Sequence, residues 1–333
     1  MLTIPVLPSV PKVANGAEAL DTAVSVTDVE NVTGLLRDVI RKWEVRYGFP
    51  RPERDQYGNR IYPADQVAQL QLIRRLIASG SRPGDVVGLD LESLQRLIVQ
   101  VTGTTETAAP KSIHEVLGAM AKHDMAQVKF LLKAALCQQG LSVFVRETIA
   151  QLNMNVGEFW LRGNLTIFEE HLYTDAIQTI LLESIAMVGG REGTPRILLT
   201  TAPGELHTTG LLMANAIFSL EGAECVRLGA QTPPQEIAAA AGACGVDVVG
   251  LSFSVALPRR DTVSFLRELR GRLNQSVEIW AGGGGVTRLR RIEGVRFIDD
   301  LNKIGVVLRA WRKRKPFTHA VGETVNAGEL IGP

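Results

Sequence analysis

The sequence predicts a multidomain protein of the α and α/β classes: a winged helix-turn-helix head, a four-helix cap, and a Rossmann-like, flavodoxin-type five-stranded parallel sheet. Three observations lead there. A chain of 333 residues exceeds what one hydrophobic core usually serves. The run TGTTETAAPK, near Thr102 to Pro110, has no apolar periodicity and reads as a linker. After Gly189, Gly190 and Gly193 the apolar period changes from helical steps to short β-type runs. The expected divisions are a flexible arm over 1–22, the head over 23–101, a linker over 102–111, the helical cap over 112–190, the sheet domain over 194–315 and a tail over 316–333.

The composition, 45% hydrophobic and 21% charged, is that of an ordinary globular protein and excludes disordered and fibrous classes. Net charge is +1, so a nucleic-acid site must come from local clustering. The three cysteines, Cys137, Cys225 and Cys244, are odd in number and irregularly spaced, which suits neither a disulfide framework nor a thiolate zinc site and predicts a reducing, cytoplasmic home. No apolar run of 18 residues and no basic, apolar leader is present, so neither membrane insertion nor export is expected.

In the head, VTDVENV reads as a short helix, Thr33-Gly34 as a turn, and LLRDVIRKWEVRYG as a second helix, which is helix-turn-helix spacing. FPRPERDQYGNRIY follows, where prolines and Gly58-Asn59 forbid helix and favour a wing; VAQLQLIRRLIASG then resumes helical periodicity. Between Leu36 and Tyr62 there are seven Lys or Arg against four Asp or Glu, a basic excess where a recognition helix and wing would lie. From Ser112 to Val188, apolar residues such as Val116, Met120, Val128, Leu131 and Leu132 recur at helical steps, enough for four helices.

Beyond the glycines, five β-type runs alternate with helical stretches: Arg196 to Thr201, Glu224 to Leu228, Val246 to Ser254, Val277 to Ala281 and Val295 to Ile298. This alternation predicts a doubly wound parallel sheet with its ligand site outside the carboxyl ends of the strands, where strand order reverses. Directly after the first strand comes TTAPGELHTTG, in which Glu205, His207 and Gly210 form E-x-H-x-x-G. A borderline metal such as cobalt accepts an imidazole nitrogen when the other nitrogen is held by an acceptor, and Glu205 can be that acceptor. Gly210 opens the next helix without a side chain to obstruct a bulky ligand. In the cap, Thr166 and Glu169 read as a capping box that restarts a helix after Gly163-Asn164, placing Glu170 and His171 in its first turn.

RKWEVRYGFPRPER, GNRIY and LQLIRRLIASG resemble the MerR family of winged-helix regulators. The resemblance implies that Arg37, Arg41 and Lys42 lie on or beside the recognition helix and Arg54, Tyr57 and Arg60 on the wing, touching phosphates of double-stranded operator DNA; Trp43 and Tyr47 are expected to pack the small core. E-x-H-x-x-G resembles the corrinoid-binding motif of base-off, histidine-on cobalamin domains, with Glu205 where Asp is usual. That resemblance implies His207 as lower ligand to cobalt, Ser252 or Ser254 of the GLSFS run facing the displaced benzimidazole tail, and Gly282, Gly283, Gly284 and Gly285 leaving room for it. Trp160, separated from Glu170-His171 by nine residues, is similar to the cap of the adenosylcobalamin-dependent MerR photoreceptors of the CarH/LitR type, in which the Trp covers the adenosyl group and the Glu and His line the upper pocket. Leu161 departs from that pattern, standing where light-responsive members carry a His. The expectation is a non-enzymatic, homo-oligomeric regulator, a dimer or tetramer. A corrinoid carrier for methyl transfer and a cobalamin-independent regulator acting through protein contacts stay open as alternatives.

Overall fold

A computed structural model describes residues 23–102, 111–163, 165–188, 193–287 and 289–314. The predicted arm and tail, and all of the predicted linker but its two end residues, lie outside the described residues.

The head consists of β1 (Val24–Ser25), α1 (Val26–Thr33), α2 (Arg37–Tyr47), the wing strands β2 (Glu53–Arg54) and β3 (Arg60–Tyr62), α3 (Ala64–Ala78), the short α4 (Pro83–Val86) and α5 (Leu91–Thr102). Ser25 caps α1 in a capping box with Asp28, and the helix stops at Gly34, whose φ of 67° is left-handed and cheap only for glycine. β3 pairs with both β1 and β2, antiparallel, to make the small winged sheet. Trp43 and Tyr62 are buried with Val29, Ile40, Leu70 and Ile73, while Tyr47 packs at the edge of this core.

The cap is α6 (Lys111–Met120), α7 (Met125–Val143), a π-helical turn (Phe144–Ile149), α8 (Ala150–Arg162) and α9 (Ile167–Val188). Gly140, at φ 73° and ψ 160°, is non-helical, so the boundary between the second and third cap helices falls there. Residues 125–162 are together long and apolar enough to cross a membrane. Val128, Leu132, Phe144, Val145, Ile149, Leu152 and Val156 of this stretch instead pack into the cap core.

The remaining chain alternates β4 (Arg196–Thr200), α10 (Thr209–Leu220), β5 (Glu224–Gly229), α11 (Pro234–Ala243), β6 (Val248–Ser252), α12 (Arg259–Arg272), β7 (Glu278–Gly282), β8 (Val295–Ile298) and α13 (Ile304–Arg314). All five strands are parallel, in the order β5-β4-β6-β7-β8, the expected doubly wound arrangement. Strand order reverses between β4 and β6, so the loops after these strands flank the switch point. Alternation along the strands divides the core in two. Ile197, Leu199, Val248 and Trp280 join the cap core, while Leu198, Val249, Leu251 and Ile279 face a second core with α11 and α12. β6 is shorter than the run Val246 to Ser254 predicted, although Asp247 just before it still bonds to the backbones of Arg196 and Glu278, and Phe253 just after it donates to the Gly282 carbonyl before the loop that bears Ser254.

Candidate functional site

The loop after β4 carries a built hydrogen-bond network. Glu205 is 1% exposed, and its Oε1 accepts from both the backbone N (2.9 Å) and Nδ1 (2.8 Å) of His207. A carboxylate only accepts, so Nδ1 carries the proton and Nε2 keeps its lone pair. The Oε2 atom of Glu205 accepts from the Ser254 amide at 2.7 Å and from the Ser254 hydroxyl at 2.8 Å, tying the β4 loop to the β6 loop across the switch point. Burial pushes the Glu205 pKa up, but the hydrogen bonds from His207 and Ser254 more than offset it, and the carboxyl is held below its ordinary value. The bond from Glu205 raises the His207 pKa; burial opposes the rise, Glu170 adds to it and Arg74 resists it. A more basic imidazole is a better metal donor. The His207 side chain is nonetheless 60% exposed, so its free nitrogen is accessible.

Beside this network a cavity of about 220 Å3 runs inward between α10 and the ends of β6, β7 and β8, lined among others by Gly210, Met213, Ser252, Trp280, Gly283 and Leu301. Ser252 and Ser254 therefore part company: Ser252 faces the cavity, whereas Ser254 holds Glu205. A Cβ on Gly210 would lie 3.0 Å from the Ser252 Oγ, narrowing the passage. Gly283 (φ 89°) has a further reason to be glycine, since a Cβ there would lie 2.4 Å from the Phe253 carbonyl oxygen. The glycine run thus lets two loops pack backbone to backbone and also opens the cavity. A cleft with one oriented imidazole and a deep apolar slot cleared of side chains fits a corrinoid that presents cobalt to His207 and an aromatic tail to the slot.

On the cap side, Thr166 and Glu169 form the predicted cap, with both the Thr166 amide and hydroxyl donating to Glu169 Oε2 at 2.7 Å. Glu170 accepts from Thr174 at 2.8 Å and pairs with His171 at 3.0 Å. His171 is 73% exposed. Trp160 is half-buried and touches both the cap core and the head core.

On the head, Asp38, Arg41, Lys42, Val45 and Arg46 line a shallow open depression on α2. Arg41 and Lys42 are exposed and make no ion pair among the described residues. Arg37 pairs with Glu30 at 2.6 Å, and Arg60 lies 3.3 Å from Glu44, which also accepts from the Tyr62 hydroxyl at 2.6 Å. At the wing tip, Asp55 accepts from the Tyr57 and Asn59 amides, Arg54 donates to the Gly58 carbonyl at 2.6 Å, and Tyr57 projects into solvent.

Residues 24–90 match the MerR HTH family regulatory protein family, and residues 195–300 match the B12 binding domain family. The chain is 29% identical over 260 residues to the HTH-type transcriptional repressor CarH of Myxococcus xanthus, covering 76% of this chain and 86% of that protein. It is 26% identical over 250 residues to the repressor CarA of the same organism, covering 73% and 81% respectively. A corrinoid protein of Desulfitobacterium hafniense (strain Y51) is 25% identical over 142 residues, covering 40% of this chain and 65% of that protein. The chain is a MerR-type regulator with a B12-binding domain.

In this MerR-type chain, the motif residues after β4, β6 and β7 meet around one cleft, and the wing's Arg60 lies beside Glu44 of α2. Three groups were not singled out as site residues by the sequence. Val45 is an apolar side chain 89% exposed on α2. Arg46 lies beside it, its guanidinium 5.3 Å from the Tyr47 ring centroid. Asp299 and Asp300, after β8, line the cavity wall of the B12-binding domain. Their position at a strand end was the available signal for them.

Proposed function

We propose that this chain is a cytoplasmic transcription regulator that binds adenosylcobalamin between cap and sheet, with cofactor state controlling its assembly and its occupancy of double-stranded operator DNA. The observation that carries this is the His207 imidazole, fixed by Glu205 with its other nitrogen open to the cleft. Bound there, the cofactor supplies a cobalt centre with a light-cleavable bond to carbon. The chain's own residues do the rest. His207 would offer the lone pair of its free nitrogen to the cobalt, Glu205 orients the ring, and Ser254 holds Glu205. Gly210, Ser252, Gly282, Gly283 and Gly284 leave the slot for the displaced tail. Trp160, Glu170 and His171 bound the upper side, and a ligand that prefers one arrangement of this side shifts the population of assemblies. Arg37, Arg41, Lys42, Arg54, Tyr57 and Arg60 form the phosphate-facing surface of a homo-oligomer, dimer or tetramer, on DNA.

The test is an absorption spectrum of the full chain with adenosylcobalamin, in the dark and after green light, with size-exclusion chromatography on the same samples. A histidine-ligated, base-off spectrum is expected in the dark, lost in His207→Ala. An unchanged spectrum and affinity in that variant overturn the lower-ligand assignment, and identical elution before and after light overturns control of assembly by light. Leu161 carries no nitrogen, so no second imidazole signature is expected from position 161 after light.

A further inference from the structure

The head core does not end at the head. Leu161, one residue past Trp160 in α8, is only 9% exposed and belongs to the cluster formed by α3 and α5. A Cβ on Gly163, which ends α8 at φ 82°, would lie 2.5 Å from Nη1 of Arg75 on α3, so the guanidinium rests on the carbonyl end of α8, the negative end of its dipole. Just past α3, a Cβ on Gly80 would lie 3.0 Å from the carbonyl oxygen of Val255, next to the Ser254 that holds Glu205. Neither Arg74 nor Arg75 has an ion-pair partner among the described residues. The DNA face is not involved in this docking: Arg41, Lys42 and Val45 remain exposed.

We propose that the docked head is a lid on the corrinoid cleft: α3 bridges the end of α8, which carries Trp160, and the loop after β6, which carries Ser254, so that docking the head and filling the cleft are competing states. This rests on the corrinoid seat at His207 proposed above. The physical reason for competition is shared occupancy. Trp160, which on the proposed function covers an upper ligand, is engaged by the head core, and the end of α3 packs against the loop that bears Ser254, the residue that holds Glu205. Leu161 works here as the apolar anchor of the docked head. Because α2 stays open in the docked state, what cofactor binding would change is the orientation of the head, not access to its DNA face.

The experiment titrates hydroxocobalamin into the full wild-type chain, Leu161→Asp and Arg75→Glu, each in a Cys137→Ser background with dyes on Tyr57→Cys and Arg272→Cys to report head-to-sheet distance. Arg75→Glu lies outside both cores and keeps the test valid if Leu161→Asp fails to fold. Both variants are expected to show a longer distance before any cobalamin is added, and the wild type to reach it on binding. Apparent affinity should rise in both variants by the inverse of the undocked fraction, about tenfold if nine-tenths of the wild type is docked. Equal affinity in all three chains overturns the lid and leaves the proposed function standing. Weaker binding in the variants overturns it too, by making the head a wall of the site. Absence of corrinoid binding in every chain sinks both.

Discussion

The two sides of the corrinoid cleft are built differently. Below, Glu205 is buried, spends its oxygens on His207 and Ser254, and joins two loops of a single sheet at its switch point. Above, Glu170 and His171 pair on an open helix turn, and Trp160 is divided between two cores. The lower side is preorganised by one domain, so it can recognise the constant part of a cofactor without rearrangement. The upper side is made of cap residues, one of them shared with the head core, so it is less tightly fixed. On the proposed function, recognition and signalling would fall to structures of different stiffness.

The largest expected effect comes from breaking the stiff side at its centre. His207→Ala should cost more than the roughly 10–100-fold that loss of an outer partner of a metal ligand costs, and should abolish the histidine-ligated spectrum. Titration of the full chain with adenosylcobalamin checks both. Next comes Glu205→Ala, which frees the imidazole to rotate and leaves the Ser254 amide without its acceptor; affinity should fall about 10–100-fold, with Ser254→Ala losing less. If Glu205→Ala binds as wild type does, the lower side is not preorganised and the contrast between the two sides collapses.

Trp160→Ala sharpens the comparison, because it should discriminate between cofactors. Binding of adenosylcobalamin should weaken by about tenfold, ~1.4 kcal/mol, while hydroxocobalamin, with no bulky upper group, is spared; this is the lower end of what one lost apolar contact costs. Equal losses for the two cofactors would place Trp160 in the fold and not over the ligand. A similar contrast of tethered and free groups divides the head: Arg41→Ala should lower the salt slope of DNA binding by about 1, and Arg60→Ala by less, since Arg60 is already paired with Glu44. Binding isotherms across a salt series decide this. The smallest effect belongs to His171→Ala, which removes an exposed ring and should leave dark affinity within about twofold, as surface substitutions usually do.

Much of the fold was legible in the sequence because it rests on local rules. The five β-type runs, the Gly34 turn and the Thr166-Glu169 cap each depend on neighbours a few residues away, and each stands where the local pattern put it. The site was legible to the extent that motif residues fall on loops at strand ends, which a parallel sheet necessarily brings together. Less legible were Ser252 and Ser254: two residues apart, they offer the same chemistry in sequence, yet one faces the cavity and the other holds Glu205.

By itself, then, the sequence determined the order of the elements, the chemistry of E-x-H-x-x-G and the basic character of α2 and the wing, since periodicity, capping and side-chain identity are properties of short stretches. Only the tertiary structure decided that Leu161 joins the head core, that Gly80 past α3 meets the Val255 carbonyl, and that the glycines after β7 admit the Phe253 backbone as well as opening a slot. Those contacts join residues from separate domains or separate loops. No periodicity encodes them, because they depend on how whole surfaces meet once each domain has buried its own apolar face.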